Sequence, residues 1–459
     1  MTALVRPRQC GLAALCLILT IGACLLAGSA SSRAGDGAKP ESANSASPAR
    51  LPGYGPRVFG DHPTVAQMTD LGRRIFFDRS LSSSGRMACA TCHDPAFAFG
   101  PPDARDVQPG GPRMNRRGVR AAPSLRYLVG TIPFTEHYVD DEDGHGEDGG
   151  PTGALTWDGR ADTPHEQAAI PLFAVHEFAN RTPAELAERV RKAPYAAQFE
   201  AAFSGPSERV FDDPSRVLQW LVMALEVYQQ DPTEFYPYSS KYDAFLRRQT
   251  TLSAAEQRGL ALFNDPGKGN CASCHPSSVA SDGSLPRFTD LAYVALGVPR
   301  NPRLPANRDP THYDLGLCAN GRSGLADHDE YCGRFKTPTL RNVALRQVFF
   351  HNGAFHSLKQ VVEFYAQRDT HPERWYARDS AGRVRKFDDL PRRFHANVVT
   401  TPPFGRRVGE QDRLSNAEVR DIVAFLESLT DGWQPPNSHI AERGLNRAPA
   451  AVALRTPSF

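Results

Sequence analysis

The sequence has no strong excess of charge of either sign. Its 459 residues carry 53 Lys and Arg against 51 Asp and Glu, which leaves a net charge of +2. A protein that binds nucleic acid or an anionic membrane through electrostatics carries a much larger basic excess. The charge balance therefore gives no electrostatic reason for binding to nucleic acid or to an anionic membrane, and we expect no binding to nucleic acid.

The sequence also lacks a hydrophobic run of comfortable membrane-spanning length. Its N-terminal apolar run, residues 11–23, is shorter than the roughly 20 residues that cross a bilayer. The run follows Arg6 and Arg8, and a charged start before a short apolar run is typical of an export signal, here residues 1–30. The chain is therefore predicted to reach the periplasm.

Two processing sites are compatible with this leader. Gly28-Ser29-Ala30 resembles a signal-peptidase site, which would release a soluble protein. Ile21-Gly22-Ala23-Cys24 resembles a lipobox, and then the signal would end at residue 23 and a lipid on Cys24 would anchor the protein. Because Gly22 fits a lipobox poorly, the soluble form is favoured and Cys24 is the only predicted link to a membrane.

Cysteine is scarce beyond the leader, and most of it falls in two identical patterns. Of nine cysteines, four lie in the C-x-x-C-H motifs Cys89-Ala90-Thr91-Cys92-His93 and Cys271-Ala272-Ser273-Cys274-His275. In this motif the two thiols attach haem covalently and the histidine ligates its iron. The sequence therefore predicts two haem c groups, on Cys89 and Cys92 and on Cys271 and Cys274, with His93 and His275 as iron ligands.

Candidate ligands for the opposite face of the first haem are missing. No histidine lies between His93 and His137, and the one methionine in that interval, Met114, lies in a loop rich in Pro, Gly and Arg. We therefore expect an open sixth position on the first iron, where peroxide can bind. No methionine follows Met223, so the second haem also lacks a methionine ligand.

Two cysteines remain once the leader and the haem motifs are accounted for. They are Cys318 and Cys332, which would close a short loop rich in Gly and Asp. In an oxidising compartment, two leftover cysteines most simply form a structural disulfide. We therefore predict a Cys318–Cys332 disulfide.

The chain divides by composition and periodicity. A disordered linker, residues 31–52, precedes an N-terminal domain, residues 53–235, a C-terminal domain, residues 236–432, and a tail without periodicity, residues 433–459. Helical patterns and capping signals occur from about residue 64 and over residues 182–191, 213–230, 253–263, 357–367 and 415–429.

Both halves approach their haem motif through a helix and a glycine-bearing loop. This parallel predicts a mainly α fold made of two cytochrome c-like haem domains related by duplication, with long loops. An acidic run, residues 140–148, does not fit the spacing of an EF-hand and is predicted to be a solvated surface loop, with cation or partner binding as the alternative.

Three further motifs resemble those of the bacterial di-haem cytochrome c peroxidases, including the MauG-like branch. They are Trp157-Asp158-Gly159-Arg160-Ala161, Lys336-Thr337-Pro338-Thr339-Leu340-Arg341-Asn342 and Phe350-His351-Asn352-Gly353. The resemblance extends from about residue 71 to about residue 429. It implies that Trp157 lies between the haems and relays electrons, with Gln167 and Glu177 as catalytic residues. Packing at a domain interface is the alternative role of Trp157.

The residues themselves suit these roles. Cleavage of the O–O bond of peroxide needs a proton moved between its oxygens, which is work for a general acid and base. Glu177 lies on an otherwise apolar stretch, and Gln167 can hold peroxide or water by hydrogen bonds. His165 and His176 are the alternatives on the peroxide side, or are structural histidines.

The second haem shows the clearest departure from the peroxidase branch, in which a downstream methionine ligates the iron. Tyr365 stands at the matching place, as in the MauG-like branch, and a tyrosine ligand favours oxidised iron. Tyr365 also shares a helical face with Leu358, Val361 and Val362, so packing in the core is the alternative role. The reserve ligands are His351, His356 and His371.

Calcium is a further departure. Family enzymes often hold calcium between the haems, but the asparagine expected just before the Ala-Pro-Ser segment is Ala121 here. The ion is therefore either lost or held by carbonyl groups and water.

The resemblance implies a periplasmic di-haem peroxidase or oxidase that reduces hydrogen peroxide and shares oxidising equivalents between its haems. A small c-type cytochrome or a cupredoxin would supply the electrons. One alternative is a MauG-like oxidase that modifies Trp or Tyr residues of a protein substrate. A second alternative is a di-haem electron carrier without catalysis, which would need two six-coordinate haems.

Overall fold

The computed structural model describes residues 63–139 and 148–435. The predicted signal and linker, most of the acidic run and the end of the predicted tail lie outside the described residues. Among the residues that it does describe, no helix has both the length and the apolar character needed to cross a membrane. The predicted domain boundary near residue 235 remains a prediction.

Helices dominate the described part of the chain, in agreement with the predicted mainly α class. They are α1 Val65–Phe77, α2 Pro164–Phe173, α3 Pro183–Arg191, α4 Ala196–Phe203, α5 Pro214–Tyr228, α6 Pro232–Phe235, α7 Lys241–Leu246, α8 Ala254–Asn264, α9 Leu358–Gln367 and α10 Asn416–Glu427. Two short antiparallel pairs join β1 Pro109–Gly110 to β2 Arg116–Arg117 and β3 Tyr293–Val294 to β4 Phe335–Lys336. Long loops with short 3₁₀ turns connect these elements.

Capping side chains begin several of these helices where the sequence predicts. Ser253 and Ser415 each accept a hydrogen bond from the amide three residues on, and their own amides donate to the carboxylates of Glu256 and Glu418. These reciprocal bonds satisfy amide groups that the first turn of a helix leaves unpaired. The predicted starts of α8 and α10 are thereby confirmed.

In the first half, α1 crosses α5 at very short range. A Cβ placed on Gly72 of α1 would lie 2.0 Å from the carbonyl oxygen of Ala224 in α5, so only glycine allows this approach. Next to the crossing, the rings of Phe76 and Tyr228 meet edge to face with centroids 5.5 Å apart. This buried crossing supports the loop that carries the first haem motif.

In the second half, α8 crosses α10 in a corresponding way. A Cβ on Gly259 would lie 2.0 Å from the carbonyl oxygen of Asp421. The buried rings of Phe263, Phe288 and Phe425 pack beside the crossing. The two halves therefore share one packing arrangement, in which a glycine lies at the contact of two helices and aromatic rings pack beside it.

Buried polar contacts join the halves. The phenol of Tyr127 donates a hydrogen bond to Asp431 at 2.7 Å, and the guanidinium of Arg341 lies over the Tyr127 ring. Arg341 in turn makes a bidentate ion pair with Asp243, and both of these side chains are inaccessible to solvent. A buried pair of this kind is tolerated only with good geometry and full hydrogen bonding, so it sets a specific arrangement of the chain around it.

Candidate functional site

A connected cavity of about 770 Å³ lies inside the described part of the chain, and both haem motifs contribute to its wall. Apolar side chains from both halves form most of this wall, with a few polar groups among them. Cofactor sites generally combine an apolar enclosure with a small number of placed polar groups.

The first motif presents its histidine to this cavity. A 3₁₀ turn at Cys89–Thr91 brings Cys89, Cys92 and His93 to the wall. The Nδ1 atom of His93 lies 3.0 Å from the carbonyl oxygen of Phe99, which leaves Nε2 as the ligating atom. Burial lowers the pKa of His93, so the imidazole is held in the neutral form that binds a metal.

The second motif repeats this geometry. The 3₁₀ turn Cys271–Ser273 brings Cys271, Cys274 and His275 to the same cavity. The Nδ1 atom of His275 lies 2.8 Å from the carbonyl oxygen of Phe288, and burial lowers the pKa of this imidazole as well. Two thiols and an oriented, neutral imidazole at each place fit a covalently attached haem.

The predicted peroxide-side residues line the cavity together. Gln167 projects from α2, and Glu177 follows the end of that helix. The hairpin of β1 and β2 supports the backbone beside Glu177, whose carbonyl oxygen accepts a hydrogen bond from the amide of Gly111. A Cβ on Gly110 would lie 2.9 Å from the Glu177 Cα, so this close support requires glycine.

The two histidines considered for the peroxide side, His165 and His176, lie in different surroundings. His165 is bound through its Nδ1 atom to the Glu226 carboxylate at 2.6 Å and does not line the cavity. His176 does line it, with its Nε2 atom 3.5 Å from an oxygen of Glu177. Met114 accepts a hydrogen bond from Ser84 and also lies off the cavity wall. The structure thus brings Gln167, His176 and Glu177 together and leaves the other two residues elsewhere.

Trp157 is held between the halves of the chain. Its indole nitrogen donates to the carbonyl oxygen of Ala121 at 2.8 Å, and its own carbonyl oxygen accepts from the amide of Lys336 at 2.8 Å. Trp157, Ala121 and Lys336 all line the cavity. Trp157 therefore lines the same cavity as both haem motifs, with its ring bound to the first half and its backbone bound to the second.

Tyr365 lies on the wall of the second haem site. Its ring packs between Phe404 and Phe350, with centroids 5.2 and 6.3 Å away. Burial and the neighbouring cysteines raise the pKa of its phenol, and its hydroxyl group makes no hydrogen bond within the described residues. An unpaired phenol in the same cavity as His275 fits an iron ligand better than a satisfied core tyrosine.

The three reserve histidines lie in different surroundings. His356 pairs with Asp106 at 3.0 Å, and His371 lies 3.4 Å from Glu373, so neither lines the cavity. His351 does line it, but its ring stacks on Phe335 with centroids 3.5 Å apart. Burial lowers the pKa of His351 to about 4, so it is neutral at the pH of the cell.

Charged residues that the sequence patterns did not single out also line the cavity. Arg120 makes two 2.7 Å contacts with Asp314 and a third with Asp158. Lys336 donates to the carbonyl oxygens of Gly153 and Leu291, and burial lowers the pKa of its ammonium group to about 7. Lys336 belongs to a motif that the sequence shows and could have been found there, whereas the Asp314 partner of Arg120 is 194 residues away.

The described residues contain no cluster of metal-ligating side chains that would hold calcium through carboxylates. Within residues 63–139 and 148–435, no three His, Cys, Asp or Glu side chains come together as metal ligands. The two predicted alternatives, loss of calcium or binding by carbonyl groups and water, therefore stay predictions.

The loop closed by the remaining cysteines belongs to a separate small core. Cys318 and Cys332 are joined by a disulfide, with Cα atoms 4.9 Å apart. They pack with Tyr293 of β3 and with Tyr331. The disulfide therefore braces the region behind the β3–β4 pair, which carries Lys336 to the cavity.

Comparison with known proteins assigns the family. The family model "Di-haem cytochrome c peroxidase" matches residues 66–251. The chain is 32% identical over 387 residues to methylamine utilization protein MauG of Paracoccus denitrificans (strain Pd 1222), covering 82% of this chain and 91% of that protein. It is 26% identical over 374 residues to cytochrome c551 peroxidase of Nitrosomonas europaea, covering 81% of this chain and 82% of that protein.

A solved structure agrees with this result. The crystal structure of the di-haem peroxidase BthA from Burkholderia thailandensis E264 is 41% identical, with a TM-score of 0.71, and the match covers 79% of this chain and 86% of that one. Fold and site thus define a peroxidase-like oxidoreductase with covalently bound haem. The chain belongs to the di-haem cytochrome c peroxidase family, which confirms the resemblance inferred from its motifs.

Proposed function

We propose that this protein is a periplasmic enzyme that reduces hydrogen peroxide at the haem of His93, with the haem of His275 as the second store of oxidising equivalents. Reduction of one peroxide to two waters consumes two electrons and two protons, and the electrons come from a small c-type cytochrome or a cupredoxin. The observation that carries this proposal is the connected cavity whose wall includes both haem motifs and Trp157.

Haem, when bound, supplies the redox chemistry of this reaction, and the side chains around it position peroxide and move protons. Glu177 is the general acid and base, because of the carboxylates on the cavity wall it is the nearest in sequence to Gln167. Gln167 orients peroxide through its amide. His176, 3.5 Å from Glu177, is placed to exchange a proton with that carboxylate.

Trp157 connects the two sites. An indole can lose an electron while it keeps its proton, unlike the phenols on the cavity wall, and the hydrogen bond to Ala121 holds this ring in place. A fixed ring changes its geometry little when it loses an electron, so transfer through it is fast. Tyr365 would ligate the second iron when haem is bound, and a tyrosine ligand would favour its oxidised form.

The test is steady-state turnover of the haem-loaded protein. Hydrogen peroxide is mixed with a reduced small cytochrome c or a reduced cupredoxin, and oxidation of the donor is followed optically. We expect two equivalents of donor oxidised for each peroxide consumed. Negligible donor oxidation with every donor of both classes would overturn the peroxidase assignment.

A second candidate function is oxidation of Trp or Tyr residues on a partner protein. Tyr365 supports it, because a ligand that stabilises oxidised iron would let the second haem keep its oxidising equivalent until a slowly reacting substrate is oxidised. The 32% identity to MauG of Paracoccus denitrificans points the same way. A partner that co-purifies with this chain and changes mass after peroxide treatment would favour this function over the first one.

The leader supports the periplasmic location, and the helix crossings support a duplication. Gly72 and Gly259 occupy corresponding places, one on the helix before each haem motif and each against the last long helix of its half. Fractionation of cells into periplasm, membrane and cytoplasm tests the location, and recovery in the membrane fraction would favour a lipid on Cys24.

A further inference from the structure

Six cationic side chains line the cavity, and they differ in how their charge is balanced. Arg341 is paired with Asp243, and Arg120 with Asp314 and Asp158. Arg346 is different, because no carboxylate of the described residues pairs with it or perturbs its pKa. Burial alone lowers the pKa of this guanidinium to about 10, so the charge is retained at neutral pH.

The hydrogen bonds of Arg346 leave part of the guanidinium unused. Its Nε atom donates to the carbonyl oxygen of Val348 at 3.2 Å, and its Nη2 atom donates to that of Ala122 at 3.1 Å. The Nη1 atom makes no hydrogen bond within the described residues. A buried cation that has only carbonyl partners is unfavourable unless an anion enters beside it.

The position of Arg346 assigns it to the first haem site. Ala122 belongs to the first half, and a Cβ on Gly100 would lie 3.5 Å from the Nη1 atom. Gly100 directly follows Phe99, whose carbonyl oxygen lies 3.0 Å from the Nδ1 atom of His93, whereas the imidazole of His275 is bound to the carbonyl oxygen of Phe288. The unpaired cation therefore lies near the first iron ligand, although it comes from the second half of the chain.

Haem carries two propionate groups, and these anions must find partners when the ring enters an apolar cavity. Arginine binds carboxylates with several hydrogen bonds, and its charge remains on at all physiological pH values. We propose that Arg346 is the counter-ion of a propionate of the first haem, so that the second half of the chain helps to set the potential of the first iron.

This inference rests on haem binding and not on the electron donor or on peroxide turnover, so either proposal can fail without the other. Arg346 is a positioning residue here, because it acts on the iron through the propionate. A positive charge beside the haem opposes further positive charge on the iron and so favours its ferrous form. Loss of that charge should lower the midpoint potential of the first haem.

The experiment is a spectroscopic redox titration of the haem-loaded protein and three variants. Arg346→Gln removes the charge and keeps an amide, and Arg346→Lys keeps the charge without the planar donor set. Arg303→Gln is the control, since Arg303 is half exposed and paired with Asp106 on the surface. Covalent haem content is measured for each variant, so that the potentials are compared between fully loaded proteins.

We expect the ferrous-to-ferric ratio of the first haem at fixed potential to fall about tenfold in Arg346→Gln, equivalent to about 59 mV for one electron. The ratio in Arg346→Lys should lie between that of Arg346→Gln and that of the parent, and the ratio in Arg303→Gln should equal that of the parent. Equal potentials in all four proteins, or equal shifts of both haems, would overturn the proposal.

A crystal structure of the haem-loaded parent protein decides the question even if Arg346→Gln loads haem poorly. A propionate oxygen within hydrogen-bond distance of the Arg346 guanidinium supports the proposal. Two propionates of the first haem that both point away from Arg346 would overturn it.

Discussion

The indole nitrogen of Trp157 donates a 2.8 Å hydrogen bond to the carbonyl oxygen of Ala121. This bond fixes an oxidisable ring against the loop that follows the first haem motif. The backbone carbonyl of the same residue is bound to the second half through the amide of Lys336. The first half therefore holds the ring of Trp157, and the second half holds its backbone.

Replacement of this ring should uncouple the two haems. Trp157→Phe loses the hydrogen bond and the easily oxidised indole, so donor-driven turnover should fall by at least about tenfold, which corresponds to ~1.4 kcal/mol in the barrier. Binding of peroxide to the first haem should persist, as judged by stopped-flow spectra. Trp220→Phe is the control, because Trp220 stacks on Phe203 away from the cavity. Equal turnover in the two variants would contradict a relay through Trp157.

Glu177→Gln should impair the chemical step with peroxide. The amide keeps the shape of the side chain but cannot accept and return a proton. General acid–base catalysis contributes about 10²–10⁴ in rate, so kcat/KM for peroxide should fall by about 100-fold or more. Glu166→Gln is the control on the neighbouring helix, where glutamine retains the capping function of an exposed side chain. A value of kcat/KM close to that of the parent would remove Glu177 from the mechanism.

Tyr365→Phe should alter the second haem and leave the first unchanged. Loss of a phenolate ligand changes the ferric absorption and paramagnetic spectra of that iron, and it raises the midpoint potential because the oxidised form is no longer stabilised. Tyr376→Phe is the matched control, since its buried phenol is bound to the carbonyl oxygen of Gly297 and does not line the cavity. If the spectra of Tyr365→Phe and the parent coincide, Tyr365 is a core residue only.

Asp314 should contribute to stability above pH 4 and lose that contribution in acid. Burial by itself would raise the pKa of Asp314, but the hydrogen bonds and charge of Arg120 outweigh it and lower the pKa to about 2. The folded state therefore binds this proton less tightly than the unfolded state. Stability is gained in full above the unfolded pKa near 4 and is lost as the pH falls toward 2.

The matching measurement is the free energy of unfolding by denaturant at pH values from 7 to 2, followed by circular dichroism. Asp314→Asn should lose roughly 2 kcal/mol at neutral pH and show a shallower acid decline than the parent. The control Asp327→Asn replaces an exposed carboxylate in the disulfide-closed loop and should behave like the parent. An unchanged acid decline in Asp314→Asn would show that Arg120 does not hold this carboxylate.

Features that depend on neighbouring residues were predictable from the sequence. Each haem motif carries both thiols and the iron ligand within five residues, so spacing alone defines it. Helix caps act over three residues, and the helix predicted over residues 213–230 is observed as α5, Pro214–Tyr228. The disulfide pairing followed from elimination of the other cysteines, and the structure has the same pair.

The helix α2 shows where local patterns fail. Pro171 lies inside it, and proline normally interrupts a helix because it lacks an amide hydrogen and crowds the preceding turn. Packing of α2 against the cavity and α5 outweighs this preference. The segment that carries Gln167 to the peroxide side was therefore not predicted as a helix, although Gln167 itself was found through the family motif.

What the sequence by itself determined is the chemistry: two haem attachment sites, a tyrosine where a methionine is common, and the acid and amide beside them. What only the tertiary structure decided is how charge is balanced around that chemistry. The carboxylates of Arg120 lie up to 194 residues away from it, and Arg346 has none within residues 63–139 and 148–435. Electrostatic interactions depend on distance in space and on burial. The residues around one arginine among 53 basic residues show neither its burial nor its distance from a carboxylate.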